Sequence, residues 1–358
     1  MIILAGDIGG TKTWLQIANY SSTPFAKHFP AKNNFTVLFE RCYVSAQYAS
    51  FDILLREFLQ LVQQEGLPSA TQACIGVAGP VANSLTGNDS ANVTNLPWQL
   101  NAQQLAARHQ LRHLYLINDF QAIAFGLEML SADETVLLQK GDMPTSGTTA
   151  PISGTTAPKV VIGAGTGLGQ ALLVWCGNVE HGCYEVIPSE GGHADFSPGS
   201  DEQRELLSFL AKRQSRVSVE DVLSGRGLVN IYYYLADKYP TEVSETLNAA
   251  MANGDAAAAV GEAGLSAVDS LAGRALDLFV AVYGAQAGNF ALTCMATGGV
   301  YIAGGIAAKI RDCFTHETFL TAFQNKTPMQ KMMKTIPVRL VLNPQVGLKG
   351  AALVASRQ

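Results

Sequence analysis

Charge is sparse and unbiased in this chain. Only 15% of its 358 residues are charged, and 24 Lys and Arg against 29 Asp and Glu leave a formal net charge of -5. With no basic field, nucleic acid and anionic membrane are not expected as partners, and small molecules are. The six cysteines (Cys42, Cys74, Cys176, Cys183, Cys294, Cys313) contain no CxxC and no tight pairing, so neither a zinc knuckle nor a disulfide frame is expected, and they read as reduced thiols of a cytosolic protein. The N-terminus, from Met1 to Asp7, has no basic leader and too short an apolar run for a signal peptide; it reads as a first strand. No helix-turn-helix extension is expected before it. The stretch from Leu278 to Ala308 has no charge and is long enough to cross a bilayer, but Gly284, Gly288, Gly298, Gly299, Gly304 and Gly305, with Gln286 and Asn289, divide it. The expectation is a buried helix, a turn and a buried strand ending at Ala303.

What is present is apolar residue, 48% of the chain, at a length that one core rarely organises, so two domains are expected. The chain echoes itself. Residues 2 to 5 form a strand, Gly6 to Lys12 a glycine turn, and residues 13 to 18 a second strand. In mid-chain Val160–Ile162, Gly163 to Gly169, and Ala171–Trp175 repeat the device. Cys74 to Pro80 and Val300 to Gly305 are then both buried strands that end in a small-residue turn. The order is the same in each half, which implies two α/β domains of similar build facing across a cleft. Phe51, Leu54, Leu55, Phe58 and Val62 mark a helix closed by Gly66 and Pro68. Others are expected after Asn101, Ser200 and Ser218, and across the alanine-rich stretch 248–275. Tyr232, Tyr233 and Tyr234 are expected to cover core and rim. Residues 144–158 repeat a Ser-Gly-Thr-Thr-Ala-Pro pattern that cannot bury a core, and are read as a surface insertion.

Several segments could carry chemistry. The first turn, with Asp7, Gly9, Gly10, Thr11 and Lys12, suits backbone N–H groups aimed at phosphate oxygens, and Asp7 could hold Mg²⁺ through water; a plain glycine hairpin with a capping acid reads equally well. Gly163 to Gly169 resembles a dinucleotide fingerprint, but a strand follows where that motif needs a helix, and no Gly-Lys-Ser/Thr makes it a Walker A loop. A second phosphate turn, holding Gly165, Thr166 and Gly167, remains. Asn118 and Asp119 stand between a buried strand and a helix, where Asp119 would stay ionised and able to take a proton, or would merely cap the helix. Glu190 and His193 lie in a glycine loop rich in donors and acceptors, as sugar hydroxyls require, though either could be an ordinary surface group. Glu220 sits inside what looks like a capping box from Ser218 to Asp221.

Taken together, these segments resemble the bacterial glucokinase family, within the clan that also holds hexokinases, actin and the heat-shock ATPases. The resemblance covers nearly the whole chain. It rests on GDIGGTK at 6–12, GVAGPV at 76–81, TNLPW at 94–98, INDF at 117–120, GAGTGLG at 163–169, EGGHADF at 190–196, VLSGRGLV at 222–229 and IAGGI at 302–306. It implies a fold of two ribonuclease-H-like domains: a small one of residues 1–117 plus 343–358, and a large one of 118–342. It implies ATP-dependent phosphorylation of glucose at O6, with Asp119 as base and Asn118, Asp119, Glu190, His193 and Glu220 on the sugar. Gly9, Thr11 and Gly165 to Gly167 would contact phosphate, and Gly304 and Gly305 would lie at the adenosine. A cytoplasmic homodimer is expected. The cysteine cluster that follows the histidine in the related ROK family is missing, so no structural zinc is expected. The rival readings are a kinase for mannose or an N-acetyl hexosamine, a sugar-binding regulator without catalysis, and a chaperone-type or actin-like ATPase.

Overall fold

A computed structural model describes residues 1–21, 35–82, 89–141, 156–177 and 182–357. Two sheets organise them. In the first, β1 (Ile2–Ile8), β2 (Lys12–Tyr20) and β3 (Phe35–Val44) run antiparallel, while β4 (Gln72–Val77) and β8 (His113–Asn118) lie parallel to β1, giving the order β3-β2-β1-β4-β8. Between them β5 (Val81–Ala82), β6 (Ser90–Asn92) and β7 (Gln99–Asn101) make a small separate sheet. The second large sheet repeats the plan. Its β10 (Lys159–Ala164), β11 (Leu168–Cys176) and β12 (Cys183–Ser189) are antiparallel, and β13 (Gly299–Ala303) and β14 (Val338–Val341) continue parallel to β10. A sixth strand, β9 (Thr135–Gln139), closes its edge against β14. The echo in the sequence is therefore an echo in topology. The strands run further into the motifs than expected: Gly6 and Asp7 belong to β1 and Gly163 to β10, which narrows the turns to 9–11 and 165–167.

Helices cover the sheets because each central strand is apolar on both faces. One face of the first sheet (Leu4, Leu15, Ile17, Ile75) packs on α1 (Phe51–Gln64) and α2 (Ala102–Arg108). Val160, Ile162, Val300 and Ile302 of the second sheet pack on α4 (Asp201–Ala211), α5 (Gly225–Lys238) and α8 (Ser270–Cys294), with α6 (Glu245–Asn253), α7 (Ala256–Leu265) and α9 (Gly305–Lys309) beyond. The helices α10 (Arg311–Phe314), α11 (Glu317–Gln324) and α12 (Gln330–Thr335) lead into β14. α8 is long and apolar enough to cross a membrane, but 67% of its most apolar window is buried inside the protein, as a core helix would be.

The remaining two helices are exchanged between the sheets. α3 (Asp119–Gly126) follows the first sheet yet packs on Val161, Ala171 and Tyr301 of the second, whereas α13 (Val346–Arg357) follows the second yet packs on Ile3, Ala5 and Cys74 of the first. They touch through small residues: a side chain at Gly126 would strike the Val346 carbonyl, and one at Gly350 the Ala122 carbonyl.

Two expectations change. The Ser218–Asp221 box exists, with the Ser218 N–H and Oγ donating to Asp221 at 2.9 and 2.8 Å, but it closes a turn and not a helix start. The helix begins at Gly225, because Ser224 accepts the Gly227 N–H at 3.0 Å and so provides the cap. Of the repeat at 144–158, residues 144–155 lie outside the described residues. Its last residues are tied down: the Tyr184 hydroxyl donates to the Ala157 carbonyl, and the Gly298 N–H to Pro158.

Candidate active site

Asp119 opens α3, and the helix does not need it as a cap. Asn118 takes that role, accepting the Phe120 N–H at 2.9 Å while Gln121 accepts the Asn118 N–H at 3.1 Å. The Asn118 amide also donates to the Gly79 carbonyl at 3.1 Å, which locks the strand end. Asp119 uses one oxygen for the Phe120 N–H at 2.9 Å. Burial lifts its pKa to about 6 against the pull of those donors, and Glu190 adds to the lift. Phe120 fixes the turn in space, since its ring lies over the cross-strand pair Gly163 and Gly169. A side chain on Gly169 would occupy the place of Phe120 Cδ2 and Cε2, and one on Gly163 would come to 2.7 Å from Cζ.

Asp7, on β1, faces Asp119. Burial foremost, and then the Asp119 charge, lift its pKa to about 7. Its Oδ2 lies 2.8 Å from where a side chain on Gly347 would begin, against the first turn of α13. Both acids thus stand at N-termini of the exchanged helices, where the macrodipole favours anions. Desolvation is the larger effect here.

On the far side Glu190 and His193 form an open lip, 79% and 61% exposed in their side chains, with His193 Nε2 3.8 Å from Glu190 Oε2. Behind them the Glu220 N–H donates to the Gly192 carbonyl, and the Val219 N–H to Ala194, so the loop is pinned to the 217–220 turn. The Glu220 carboxylate has two tethers. Oε2 accepts the Leu168 N–H at 2.9 Å, directly after the second glycine turn, and Oε1 lies 3.7 Å from Arg226. It is a structured residue, not a surface charge.

The first glycine turn is held by Ser45, whose hydroxyl donates to the Gly9 carbonyl at 2.9 Å and whose N–H donates to Thr11 at 3.0 Å. Gly10 packs beside Thr94 and Asn95. Thr11 and Lys12 are exposed; the Lys12 charge reaches Cys42 on β3. The second turn closes by the Gly165 N–H to the Gly167 carbonyl at 2.8 Å, and its Gly165 carbonyl accepts the Gly225 N–H at 2.8 Å. Thr166 is exposed at its tip. The N-terminus of α5 therefore points at this turn, a favourable place for phosphate. Gly304 stands beside it with φ +88, and a side chain there would come to 2.6 Å from the Ala164 carbonyl; open space surrounds Gly305. The reading of the sequence missed Phe120 with Gly169, the Gly347 floor under Asp7, and the Gly225–Arg226 helix start. Only the last had a local signal, the Ser-Gly-Arg-Gly run.

Paired sheets of like strand order, with a glycine turn in each half and buried carboxylates where two exchanged helices meet, are the plan of the actin-like ATPase fold. A family model described as Glucokinase matches residues 4–358. The glucokinase of Trichormus variabilis is 38% identical over 370 aligned positions, which take in 99% of each chain. Among solved structures, a glucokinase from an Antarctic psychrotroph superposes with a TM-score of 0.79 at 26% identity, covering 100% of this chain and 99% of that one. A ROK family glucokinase from Streptomyces griseus, solved in complex with glucose and AMPPNP, shares the fold with a TM-score of 0.63 at 18% identity and full coverage of both chains. The chain belongs to the glucokinase family and is an enzyme of glucose phosphorylation.

Proposed function

We propose that the cleft passes the γ-phosphoryl group of ATP to O6 of glucose, with Asp119 as general base. The observation that carries this is a carboxylate that shares the first-turn N–H with Asn118 and is raised by burial to about 6: still ionised near neutrality, yet more basic than an ordinary Asp. Phosphoryl transfer asks the protein for in-line placement and charge neutralisation more than for covalent help. Asn118, Glu190, His193 and Glu220 read the sugar hydroxyls. The backbone N–H groups of Gly9 to Thr11 and of Gly165 to Gly167 hold phosphate, Lys12 adds charge at the first turn, and Gly304 and Gly305 leave room for adenosine. The tie from Glu220 to Leu168 joins the sugar side to the phosphate side. Closure of the cleft then excludes water, a competing acceptor.

Asp7 fits a Mg²⁺ site. It is a desolvated acid beside a second acid, and among the described residues no cluster of three or more His, Cys, Asp or Glu could cage an ion. One carboxylate acting through water, with nucleotide phosphates supplying the rest, is how this ion is commonly held. When bound, it supplies neutralisation of phosphate charge.

The family likeness supports a cytoplasmic homodimer. The exchange of α3 and α13 supports a small domain of residues 1–117 plus 343–358 and a large one of 118–342. The test is a pair of variants read by kcat and by calorimetric glucose Kd. Asp119→Asn keeps a hydrogen bond to O6 but cannot accept its proton, so kcat falls by about 10² or more with binding retained. His193→Ala weakens binding and narrows the preference between glucose and its epimers. Near wild-type kcat in Asp119→Asn removes the base from this mechanism, and faster turnover of mannose or an N-acetyl hexosamine in a substrate panel reassigns the sugar.

A further inference from the structure

Two cysteines seven positions apart meet across a hairpin. In the β11–β12 ladder Cys176 is the direct antiparallel partner of Cys183, the last pair of that ladder. Both are free thiols, Cys176 exposed and Cys183 partly buried. We propose that this pair is a thiol–disulfide modification site, which closes an intramolecular bridge on meeting a low-molecular-weight disulfide.

Directly opposed residues of antiparallel strands have Cα atoms about 4.5–5.5 Å apart, inside the range of about 4.4–6.8 Å that a disulfide spans. Their side chains share one face of the sheet, so the bridge needs rotamer changes and little backbone movement. The two thiols are unequal. Exposed Cys176 is the one that a disulfide reagent meets first. Burial above all raises the Cys183 thiol; the nearby Glu185 carboxylate, 3.8 Å away, and Cys176 itself add to this against the pull of Arg357. Cys183 is thus placed as the resolving partner.

The step balances with glutathione disulfide as the reagent. The Cys176 thiolate attacks one of its sulfurs and expels a glutathione thiolate, leaving a mixed disulfide. Cys183 then attacks the Cys176 sulfur, the Cys176–Cys183 bond forms, and a second glutathione leaves. The two cysteine protons end on the two released thiols, and the reagent is the species reduced. Cys42 offers the contrast: it is also exposed, but Trp14 stands opposite it on β2, so an adduct there has no cysteine across the ladder to release it. The hairpin matters to the enzyme because its other end carries Leu168, tied to Glu220, and Ser189, which leads to Glu190.

The experiment treats the native, full-length protein with glutathione disulfide and maps unreduced peptides by mass spectrometry. Cys176 and Cys183 are expected to disappear together as an adduct-free bridge that dithiothreitol reverses, while Cys42 only collects glutathione. Cys183→Ser traps a stable adduct on Cys176. Cys176→Ser slows loss of the Cys183 thiol by tenfold or more. A lasting glutathione adduct on Cys176 in the wild type, or a bridge that forms only after denaturation, overturns the proposal. Retained glucose turnover in both serine variants shows that they fold.

Discussion

Gly169→Ala is the sharpest structural perturbation, because it tests what holds Asp119, the proposed base, in place without altering any of the side chains proposed to contact substrate. The added methyl would lie within the volume of Phe120 Cδ2, Cε2 and Cγ, and the far edge of the ring already lies against the Gly163 backbone on β10, with Cζ 2.7 Å from where a side chain there would begin. To regain a carbon–carbon spacing of about 3.5 Å, the ring must retreat by more than about 1 Å. Asp119 precedes Phe120 and bonds its N–H, so the carboxylate moves with it. Displacement on that scale at a reacting centre costs about 10² in rate, or about 2.7 kcal/mol of barrier. Overpacking should also cost about 1–3 kcal/mol of stability. The assay couples ADP release with Mg²⁺-ATP over a glucose series, beside thermal melts. The expected outcome is a fall in kcat larger than the rise in KM, with partial recovery when Phe120→Leu is added. A folded Gly169→Ala protein with kcat within about threefold of wild type would show that Phe120 does not position Asp119.

Three further outcomes follow from the same geometry. A base with a pKa near 6 is ionised above that pH and lost below it, so kcat should fall as pH drops through about 6; a flat profile from pH 5 to 8 would refute the assignment. Asp7 behaves as an acid whose folded pKa stands near 7 against 3.8. The folded state therefore holds a proton that the unfolded chain releases, and stability falls as pH rises across that window. Asp7→Asn should accordingly stabilise the metal-free protein at pH 8 by an amount on the order of 2–4 kcal/mol and change little at pH 3.5, while abolishing turnover; a destabilised variant at pH 8 contradicts this. Removal of 144–155, with Ala157 and Pro158 kept for their bonds to Tyr184 and Gly298, should leave kcat/KM within about tenfold, a difference of about 1.4 kcal/mol.

The sequence alone determined the architecture, because its signals are local. Continuous apolar runs at 2–5, 74–77, 160–162 and 300–303, each bounded by a glycine turn, read as buried strands, and their repeated order implies two like sheets. It also marked Asp7, Asp119, Glu190 and His193 through short motifs, with cap chemistry placing Asn118 and Asp119 at a helix start, whereas Glu220 read locally as part of a capping box and was put on the sugar only by the family resemblance. The tertiary structure decided what each of these does with its neighbours. Asn118 and Asp119 share the Phe120 N–H while Gln121 folds back on the strand end, and the Ser218 box closes a turn while Ser224 caps the helix that follows. Asp7 and Asp119 lie 112 positions apart in the chain, and the exchange of α3 and α13, which rests on small residues meeting at Gly126 and Gly350, brings the Asp119 charge close enough to raise Asp7. Gly169 looks in the sequence like one more phosphate-loop glycine; it proves to be the seat of Phe120. Cys176 and Cys183 show no pairing in their spacing, and become partners only through the register of a hairpin. Desolvation, packing overlap and cross-strand register are properties of pairs distant in the chain, and no single stretch of sequence contains them.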